Sequence, residues 1–199
     1  MTENDTTATV VTGPNRMISL HPLAIVAISD HYTRIQMGGS IYPPNSKVLG
    51  LLWGKQQGLE FVITDAVELL YEIGVSKLPI ITKREIVKQK NLYTKVFKDH
   101  EILGWYSVGS NVNAKVDLAL HREMMKYNES PFFMLMHPSP NPDSKELPIA
   151  LYESEMHMVE EEMQTIFVPC DFHLETTQAE MVTMEEVAKG INLNGSSTL

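Results

Sequence analysis

The chain has 199 residues, of which 43% are hydrophobic and 21% are charged, and its 16 basic and 25 acidic side chains give a formal net charge of -9. These values predict one globular domain with enough apolar material for a core, and they exclude a fully disordered chain. The acidic balance argues against nucleic-acid binding, because such proteins need a basic surface and the clearest basic cluster here is Lys83-Arg84.

The cellular setting follows from cysteine use and from the termini. Cys170 is the single cysteine and cannot form an internal disulfide, so we expect a reducing compartment. Residues 1–15 lack the basic and apolar parts of a secretory signal, and no run of about 18 apolar residues suggests a membrane span. We expect a soluble, intracellular chain without a membrane partner. Residues 1–15 and 191–199 are small and polar, which predicts flexible tails around one domain of residues 16–190.

The first predicted element is a helix that begins at His21-Pro22, because proline suits the first turn of a helix. Gly38-Gly39 is a typical signal for its end. Apolar residues recur at helical spacing between these points, at Ile25, Ile28, Tyr32 and Ile35. A second apolar flank, which predicts a second packing partner within the domain or outside it, is formed by Leu23, Val26 and Ala27.

Two strands and a second helix are predicted next. The continuous apolar run at 48–53 is typical of a strand covered on both faces, and residues 59–69 are its predicted hairpin partner. Thr82 and Glu85 have the spacing of a capping box, which predicts the start of a helix. We expect that helix to contact the core through Leu92, Tyr93, Val96 and Phe97.

The second half of the chain continues the alternation. The run at 102–106 predicts a strand, and a helix follows whose apolar stripe is Val116, Leu120, Met124 and Tyr127. Three more strands are predicted at 131–136, 149–152 and 165–168. This order of elements predicts an α/β or α+β fold with helices packed on a mixed sheet.

The residues alone offer no local catalytic or metal motif. None of the seven histidines forms a His-x-His pair or lies four residues from another, and no glycine-rich phosphate loop is present. Cys170 and His173 lack the third, orienting group of a nucleophilic pair. The run Glu160–Glu162 is more typical of a solvated turn than of a cation site. The twelve methionines are predicted to fill the core, and an interface role for some of them stays open.

Several segments carry a resemblance to a known family. Val48-Leu49-Gly50, Gly104-Trp105-Tyr106 and Asp117 resemble the MPN domain, the fold of the JAMM metalloisopeptidases and of their inactive relatives. The resemblance runs from about Met17 to Lys189, and it implies a mixed, mostly antiparallel sheet flanked by helices. A more specific similarity, to the subunit-six family of the COP-nine signalosome, lies in residues 18–23, 28–34, 54–56, 128–131, 147–148 and 152–154.

The resemblance also implies what this chain lacks. Active family members bind zinc through two histidines and an aspartate, and a glutamate acts as general base on the zinc-bound water. Here the glutamate position is Lys47, the histidine positions are Ser107 and Gly109, and the loop serine position is Ala114. Only Asp117 is kept, so the resemblance implies a degenerate JAMM site without metal, cofactor or catalysis. We expect Asp117 to lie in the first turn of the following helix, where a carboxylate interacts favourably with the helix dipole.

The resemblance implies partners as well. The catalytic MPN subunit of the signalosome is the expected heterodimer partner, together with the other signalosome subunits. That assembly removes a ubiquitin-like modifier from cullins, which implies a location in the cytoplasm and nucleus. Leu23, Val26 and Ala27 are the candidate interface residues.

Two alternatives stay open at this point. The chain is also compatible with the non-catalytic MPN subunit of the proteasome lid or of translation initiation factor three. A hypothesis of a different class is a metal-dependent isopeptidase with a displaced site at Asp117 and His121, which share one face of the predicted helix. Two ligands are too few for tight zinc binding.

Overall fold

A mixed sheet of eight strands forms the centre of the fold in a computed structural model that describes residues 16–74, 78–138, 147–159 and 162–175. Within these ranges the elements are, in chain order, β1 (Met17–Leu20), α1 (Pro22–Gln36), β2 (Leu49–Gln57), β3 (Glu60–Glu68), β4 (Glu72–Ile73), β5 (Pro79–Ile80), α2 (Lys83–Val96), β6 (Glu101–Val108), α3 (Ala114–Met124), β7 (Phe132–Met136), β8 (Ile149–Val159), β9 (Glu162–Cys170) and β10 (His173–Leu174).

The strands of the large sheet follow the order β10-β1-β3-β2-β6-β7-β8-β9, and β4 and β5 form a separate hairpin. The pairs β2–β3, β2–β6, β7–β8 and β8–β9 are antiparallel. The pairs β1–β10, β1–β3 and β6–β7 are parallel. The predicted class, helices on a mixed and mostly antiparallel sheet, is therefore confirmed.

Helices cover both faces of the sheet, because its central strands are apolar on both sides. Leu52 of β2 packs with Ile28 of α1 in one buried cluster. The adjacent Leu51 packs with Leu120 of α3 in a second cluster, which also contains a side chain of α2. Since successive side chains of a strand point to opposite faces, the two clusters lie on opposite faces of the sheet. All residues from 49 to 54 are buried, which confirms the prediction of a strand covered on both faces.

The first helix begins and ends where the sequence predicts. Ile28 and Ile35 are fully buried on the sheet. At the end of α1 the Gly38 N–H donates to the Ile35 carbonyl at 3.2 Å, and the Gly39 N–H donates to the Arg34 carbonyl at 2.9 Å. Gly38 has a φ of 72°, the left-handed conformation that favours glycine at a helix end.

The second helix begins at the predicted residue, but only part of its predicted contacts are present. Thr82 is its N-cap, yet the side chain makes no capping hydrogen bond, so the predicted capping box is wrong. Leu92 and Val96 are 53% and 72% exposed, so the prediction that they contact the core is also wrong. The predicted contact of Tyr93 is confirmed, because its ring stacks on the tryptophan of β2, and buried Ile86 adds a contact that was not predicted. Ile86 and Tyr93 are seven positions apart, and the stripe they define leaves Val96 and Leu92 roughly 70° and 110° away around the helix axis.

Some strands are absent from the sequence prediction or longer than predicted. β1, β4, β5 and β10 have two to four residues each, which is too short for a periodic pattern to stand out. β8 and β9 extend well beyond the predicted strands at 149–152 and 165–168.

Parts of the prediction fall outside the described residues. This group comprises residues 1–15, 75–77, 139–146, 160–161 and 176–199, so it includes both predicted tails and the first two residues of the predicted Glu160–Glu162 turn. The domain limits at 16 and 190 therefore stay predictions. No helix in the described part of the chain is long and apolar enough to cross a membrane.

Two glycines of the family-like segments make room for neighbouring groups. Gly50 of β2 pairs with Tyr106 of β6, and a Cβ at Gly50 would lie 2.2 Å from Cε1 of the Tyr106 ring. A Cβ at Gly104 would lie 2.2 Å from the carbonyl oxygen of Phe132 in β7. Neither glycine has a positive φ, so close approach explains both positions.

We expect Gly50→Ala to lower the free energy of unfolding by about 1–3 kcal/mol, because the added methyl group must displace the buried ring of Tyr106. The control is Gly109→Ala, where the nearest atoms lie 3.8 Å from the added Cβ and the change should stay within about 0.5 kcal/mol. Chemical denaturation of both variants measures the difference. Equal effects would show that the Tyr106 ring is not fixed against Gly50.

Candidate functional site

Lys47 and Asp117 form an ion pair at the positions that the resemblance assigns to a metal site. Nζ of Lys47 lies 2.8 Å from Oδ1 of Asp117. The Lys47 side chain is 25% exposed, whereas the Asp117 side chain is 1% exposed. Oδ1 has no hydrogen-bond partner among the described residues, so its contact with the ammonium is chiefly electrostatic. The ammonium therefore balances a carboxylate that water does not reach.

The Asp117 carboxylate also caps the N-terminus of α3. Oδ2 of Asp117 accepts a hydrogen bond from the backbone N–H of Asn113 at 2.7 Å. The Asn113 side chain in turn accepts from the N–H of Val116 at 3.2 Å, so the two contacts are reciprocal as in a capping box, with the carboxylate one residue later than usual. The predicted place of Asp117 in the first turn of the helix is confirmed. Ala114 is the first residue of α3 and is exposed.

Two tyrosines hold the backbone that presents Lys47. The Tyr71 hydroxyl donates to the Lys47 carbonyl at 2.7 Å, and the Tyr71 N–H donates to the Tyr42 hydroxyl at 2.6 Å. The two rings are stacked with their centroids 4.4 Å apart. Burial raises the pKa of Tyr71 to about 12, so its hydroxyl keeps the proton that it donates at neutral pH. Lys47 thus reaches Asp117 from a fixed backbone.

The two predicted histidine positions carry no strong ligand. Ser107 of β6 pairs with Leu49 of β2 and with Leu135 of β7, and its side chain is fully buried. Its Oγ has no hydrogen-bond partner among the described residues. Gly109 follows β6 and donates its N–H to the carbonyl of Met136 at 3.0 Å.

These residues do not fit a metal ion. Zinc sites in proteins use three or four nitrogen, sulfur or oxygen ligands. Here the single carboxylate is bound by the ammonium of Lys47, Ser107 offers a neutral hydroxyl, and Gly109 offers no side chain. Within the described ranges, no group of three or more His, Cys, Asp or Glu side chains is placed to hold a metal. The cation of this site is the lysine itself.

His121 is bound to a tryptophan and does not form a second site with Asp117. Nε1 of Trp105 donates to Nδ1 of His121 at 3.1 Å, and the imidazole ring stands perpendicular to the ring of Phe167. Burial lowers the pKa of His121 to about 4, so the ring is neutral at physiological pH. Since Nδ1 accepts a hydrogen bond, the proton is on Nε2. The hypothetical displaced site is not assembled, because Asp117 is bound by Lys47 at 2.8 Å.

A network of polar side chains, which the sequence analysis did not predict, connects α1 to the sheet. Nδ1 of His31 lies 2.8 Å from the hydroxyl of Tyr106, and Nε2 lies 3.5 Å from Oε2 of Glu68. The same Oε2 accepts from Nη1 of Arg34 at 3.1 Å. Burial lowers the pKa of His31 and outweighs the opposing effect of the Glu68 carboxylate, so a neutral ring accepts from Tyr106. No sequence spacing predicts this network of polar side chains, because its members come from α1, β3 and β6.

Cys170 and His173 do not form a reactive pair. Burial raises the pKa of the Cys170 thiol to about 12, so the thiolate that would attack a substrate is not populated at neutral pH. Nε2 of His173 lies 2.8 Å from Oγ of Ser19. These contacts support the view that both residues are structural.

The candidate interface residues lie on the solvent side of α1. Leu23 and Val26 are each 56% exposed. Ala27 is half-buried and packs against the cluster beneath the helix. In the described part of the chain, α1 therefore has one packed flank and one apolar flank that faces solvent.

A surface hollow of about 550 Å³ lies away from all these positions. Its lining mixes both signs of charge and includes none of the predicted site residues; among its residues are Lys90, Glu101, Lys126, Asn128 and Glu129. It offers no concentrated charge for a single class of ligand.

Comparisons with known proteins agree with the resemblance. The family model described as JAB1/Mov34/MPN/PAD-1 ubiquitin protease matches residues 14–130. The chain is 34% identical over 197 residues to COP9 signalosome complex subunit 6 of Dictyostelium discoideum, with 93% of this chain and 62% of that protein covered. It is 37% identical over 186 residues to subunit 6a of Arabidopsis thaliana, with 85% and 57% covered. For subunit 6 of Drosophila melanogaster, identity is 33% over 172 residues, with 86% and 49% covered. The chain thus spans between 49% and 62% of the length of these relatives.

We expect Lys47→Met to lower the free energy of unfolding by about 1–3 kcal/mol, because the Asp117 carboxylate would stay buried without a counter-charge. Water can reach part of the site through the exposed quarter of Lys47, which keeps the cost below that of a fully buried pair. Adding Asp117→Asn should recover part of the loss.

The matched control is Lys55→Met, whose pair with Asp99 is 3.7 Å long and exposed and should change the free energy by less than about 0.5 kcal/mol. Chemical denaturation in a double-mutant cycle measures the coupling between Lys47 and Asp117. Purely additive effects of the two substitutions would contradict the ion pair.

Proposed function

Because the chain belongs to the JAB1/Mov34/MPN/PAD-1 ubiquitin protease family, we propose that it is a non-catalytic MPN subunit of a COP9 signalosome. The observation that carries the proposal is the ion pair of Lys47 with Asp117, at 2.8 Å. Relatives at 33% to 37% identity bear the name of subunit 6 of that complex, which supports the assembly we name.

The chemistry of the site supports the absence of catalysis. A JAMM-type hydrolase needs a zinc-bound water and a carboxylate that accepts a proton from it. Lys47 stands at the position of that carboxylate, and its ammonium has no lone pair with which to accept a proton. Its positive charge also opposes the binding of a metal cation beside Asp117. The site therefore lacks both the metal ligands and the base.

The role that remains is that of a scaffold. In this proposal the chain pairs with the catalytic MPN subunit in a heterodimer, contacts further signalosome subunits, and supports removal of the ubiquitin-like modifier from cullins. The exposed Leu23 and Val26 of α1 form the face that we assign to the catalytic subunit, with half-buried Ala27 at its base. The protein would act where that complex acts, in the cytoplasm and nucleus.

The alternatives of a proteasome lid subunit and of an initiation factor three subunit share the fold and the lack of catalysis. The named relatives favour the signalosome over both. Purification of the tagged chain from its own organism separates the three assemblies, because each brings a different set of subunits.

We expect the purified chain to bind no stoichiometric zinc and to leave isopeptide-linked substrates uncleaved. Ser107→His with Gly109→His should still bind no stoichiometric zinc, because Lys47 continues to hold Asp117. Adding Lys47→Glu to that pair should bring zinc binding, since it removes the competing cation and adds a carboxylate.

Elemental analysis measures the metal, and circular dichroism verifies that each variant is folded. Gly109 has room for a side chain, since no atom lies within 3.8 Å of an added Cβ. Near-equimolar zinc in the wild-type chain, or in the variant that keeps Lys47, would contradict the role of the ion pair.

We expect Val26→Asp to weaken co-purification with the catalytic MPN subunit of the same organism by about tenfold or more, because the substitution places a charge in an apolar contact. The free energy of unfolding of the isolated chain should change by no more than about 0.5 kcal/mol, as for an exposed position.

The matched control is Thr33→Asp, which adds the same charge on the same exposed side of α1 about 10 Å farther along. Intact binding by both variants would contradict the assigned face. Failure of the wild-type chain to bind the catalytic subunit would contradict the pairing itself.

A further inference from the structure

β8 and β9 continue beyond the sheet as a two-stranded ribbon. β7 pairs with β8 only between residues 149 and 152. β8 and β9 pair with each other along residues 151–159 and 162–170. We use the term ribbon for residues 153–159 and 162–168, which in the described structure have a paired strand on one side only.

One face of the ribbon carries three exposed methionines. Residues that pair directly in antiparallel strands point to the same face, so Met158 lies beside Met163, and Met156 lies beside Thr165. Met156 and Met158 are two residues apart in β8 and therefore share this face. Their exposed fractions are 65% for Met156, 69% for Met158 and 55% for Met163. We call this the methionine face.

The reverse face of the ribbon is mixed: it carries Glu153, Glu155 and His157 of β8 opposite Val168, Ile166 and Gln164 of β9. Nε2 of His157 lies 2.7 Å from Oε2 of Glu155, and Glu153 forms an ion pair with Arg16 at 3.2 Å. The described side chains of the methionine face include no charged residue. The described charged side chains of the ribbon therefore lie on its reverse face. At the inner end of the other face Phe167 packs against His121 of α3, whereas the three methionines farther out are exposed.

The methionine face continues the core of the domain. At its inner end, Tyr152 and Phe167 belong to the buried cluster on the α3 side of the sheet. The ring of Phe167 lies 4.9 Å from that of Phe133 in β7. A contiguous apolar surface that is exposed to solvent is typical of a contact site for another molecule. Methionine suits such a contact because its flexible thioether adapts to the shape of a partner.

Size and charge restrict the partner. A stable interface engages about 20–30 residues on each side, so three methionines cannot hold a homodimer by themselves. An uncharged face also offers no attraction to nucleic acid or to anionic lipid. The occupant must be an apolar protein surface that other contacts of an assembly hold in place.

The spacing of the methionines fits a helix. Met156 and Met158 are separated by about 6.8 Å along the strand, and residues four apart on a helix rise by about 6 Å. We propose that the methionine face docks the apolar side of an α-helix from a neighbouring subunit, an inference that rests on the proposed membership of a signalosome. The helix presents aliphatic residues at positions i and i+4 to the two methionines of β8.

The test is a competition for places in the assembled complex. Wild-type and variant chains with different tags are co-expressed in equal amounts with the other signalosome subunits of the same organism. Met158→Lys should enter the complex about tenfold less than the wild type, since it places a charge in the apolar contact. Gln164→Lys adds the same charge to the exposed reverse face of the ribbon and should enter as well as the wild type.

A photo-crosslinker at position 158 identifies the occupant. The expected product joins this chain to a helical segment of another subunit with aliphatic residues four apart. Equal incorporation of Met158→Lys and the wild type, or a crosslink to a second copy of this chain, would overturn the docking proposal alone. A wild-type chain that enters no signalosome would overturn the proposed function and the docking proposal with it.

Discussion

The charge of Asp117 has to be balanced where water does not reach it, and the structure does this with a lysine. A carboxylate in the first turn of α3 caps the helix, but once buried it needs a positive neighbour. The ammonium of Lys47 meets that need at 2.8 Å with a single contact. A metal ion in the same place would require several ligands and would leave an open position for water. Positions 107 and 109, which the resemblance assigns to metal ligands, carry a serine and a glycine.

The family-like segments of the sequence are explained by packing. Gly50 leaves space for the ring of Tyr106, and Gly104 lets β6 approach the backbone of β7. Tyr106 then reaches His31 of α1, while Trp105 reaches His121 of α3 on the other face of the sheet. None of these contacts involves a residue at the positions that the resemblance assigns to metal ligands. A sequence motif of this kind identifies the architecture, and only the side chains at the ligand positions decide the chemistry.

Elements with strong periodicity were predictable from the sequence. α1 has an apolar stripe, a proline at its start and two glycines at its end, and each signal has its counterpart in the structure. The buried strand β2 and its hairpin partner β3 were equally clear. α2 was placed correctly but its buried side only in part. Tyr93 packs as predicted, whereas Leu92 and Val96 face solvent because the stacking of Tyr93 on Trp53 decides which side faces the sheet. Such a contact between distant residues leaves no trace in local spacing.

The candidate site shows the same limit. The resemblance assigned the ligand positions, and the chemistry of Lys47, Ser107 and Gly109 argued against a metal. The ion pair itself was not predictable, because Lys47 and Asp117 meet only once β2 and α3 are packed on one another. The ribbon was predicted only in part. Residues 165–168 of β9 were predicted as a strand, whereas residues 153–158 of β8 consist of polar residues and methionine and lack the β-branched residues that are typical of strands.

The edge of the sheet at β1 has a consequence for any shortened form of the protein. β1 pairs in parallel with β3 on one side and with the two-residue strand β10 on the other, through Ser19 and Leu20. The N–H of Glu175 also donates to the carbonyl of Leu20 at 3.0 Å. A chain cut after Cys170 would uncover these backbone groups and turn β1 into an open edge, which is a template for pairing with a strand of another molecule. Residues 173–175 thus cover the backbone groups of β1 through which two shortened chains would otherwise pair.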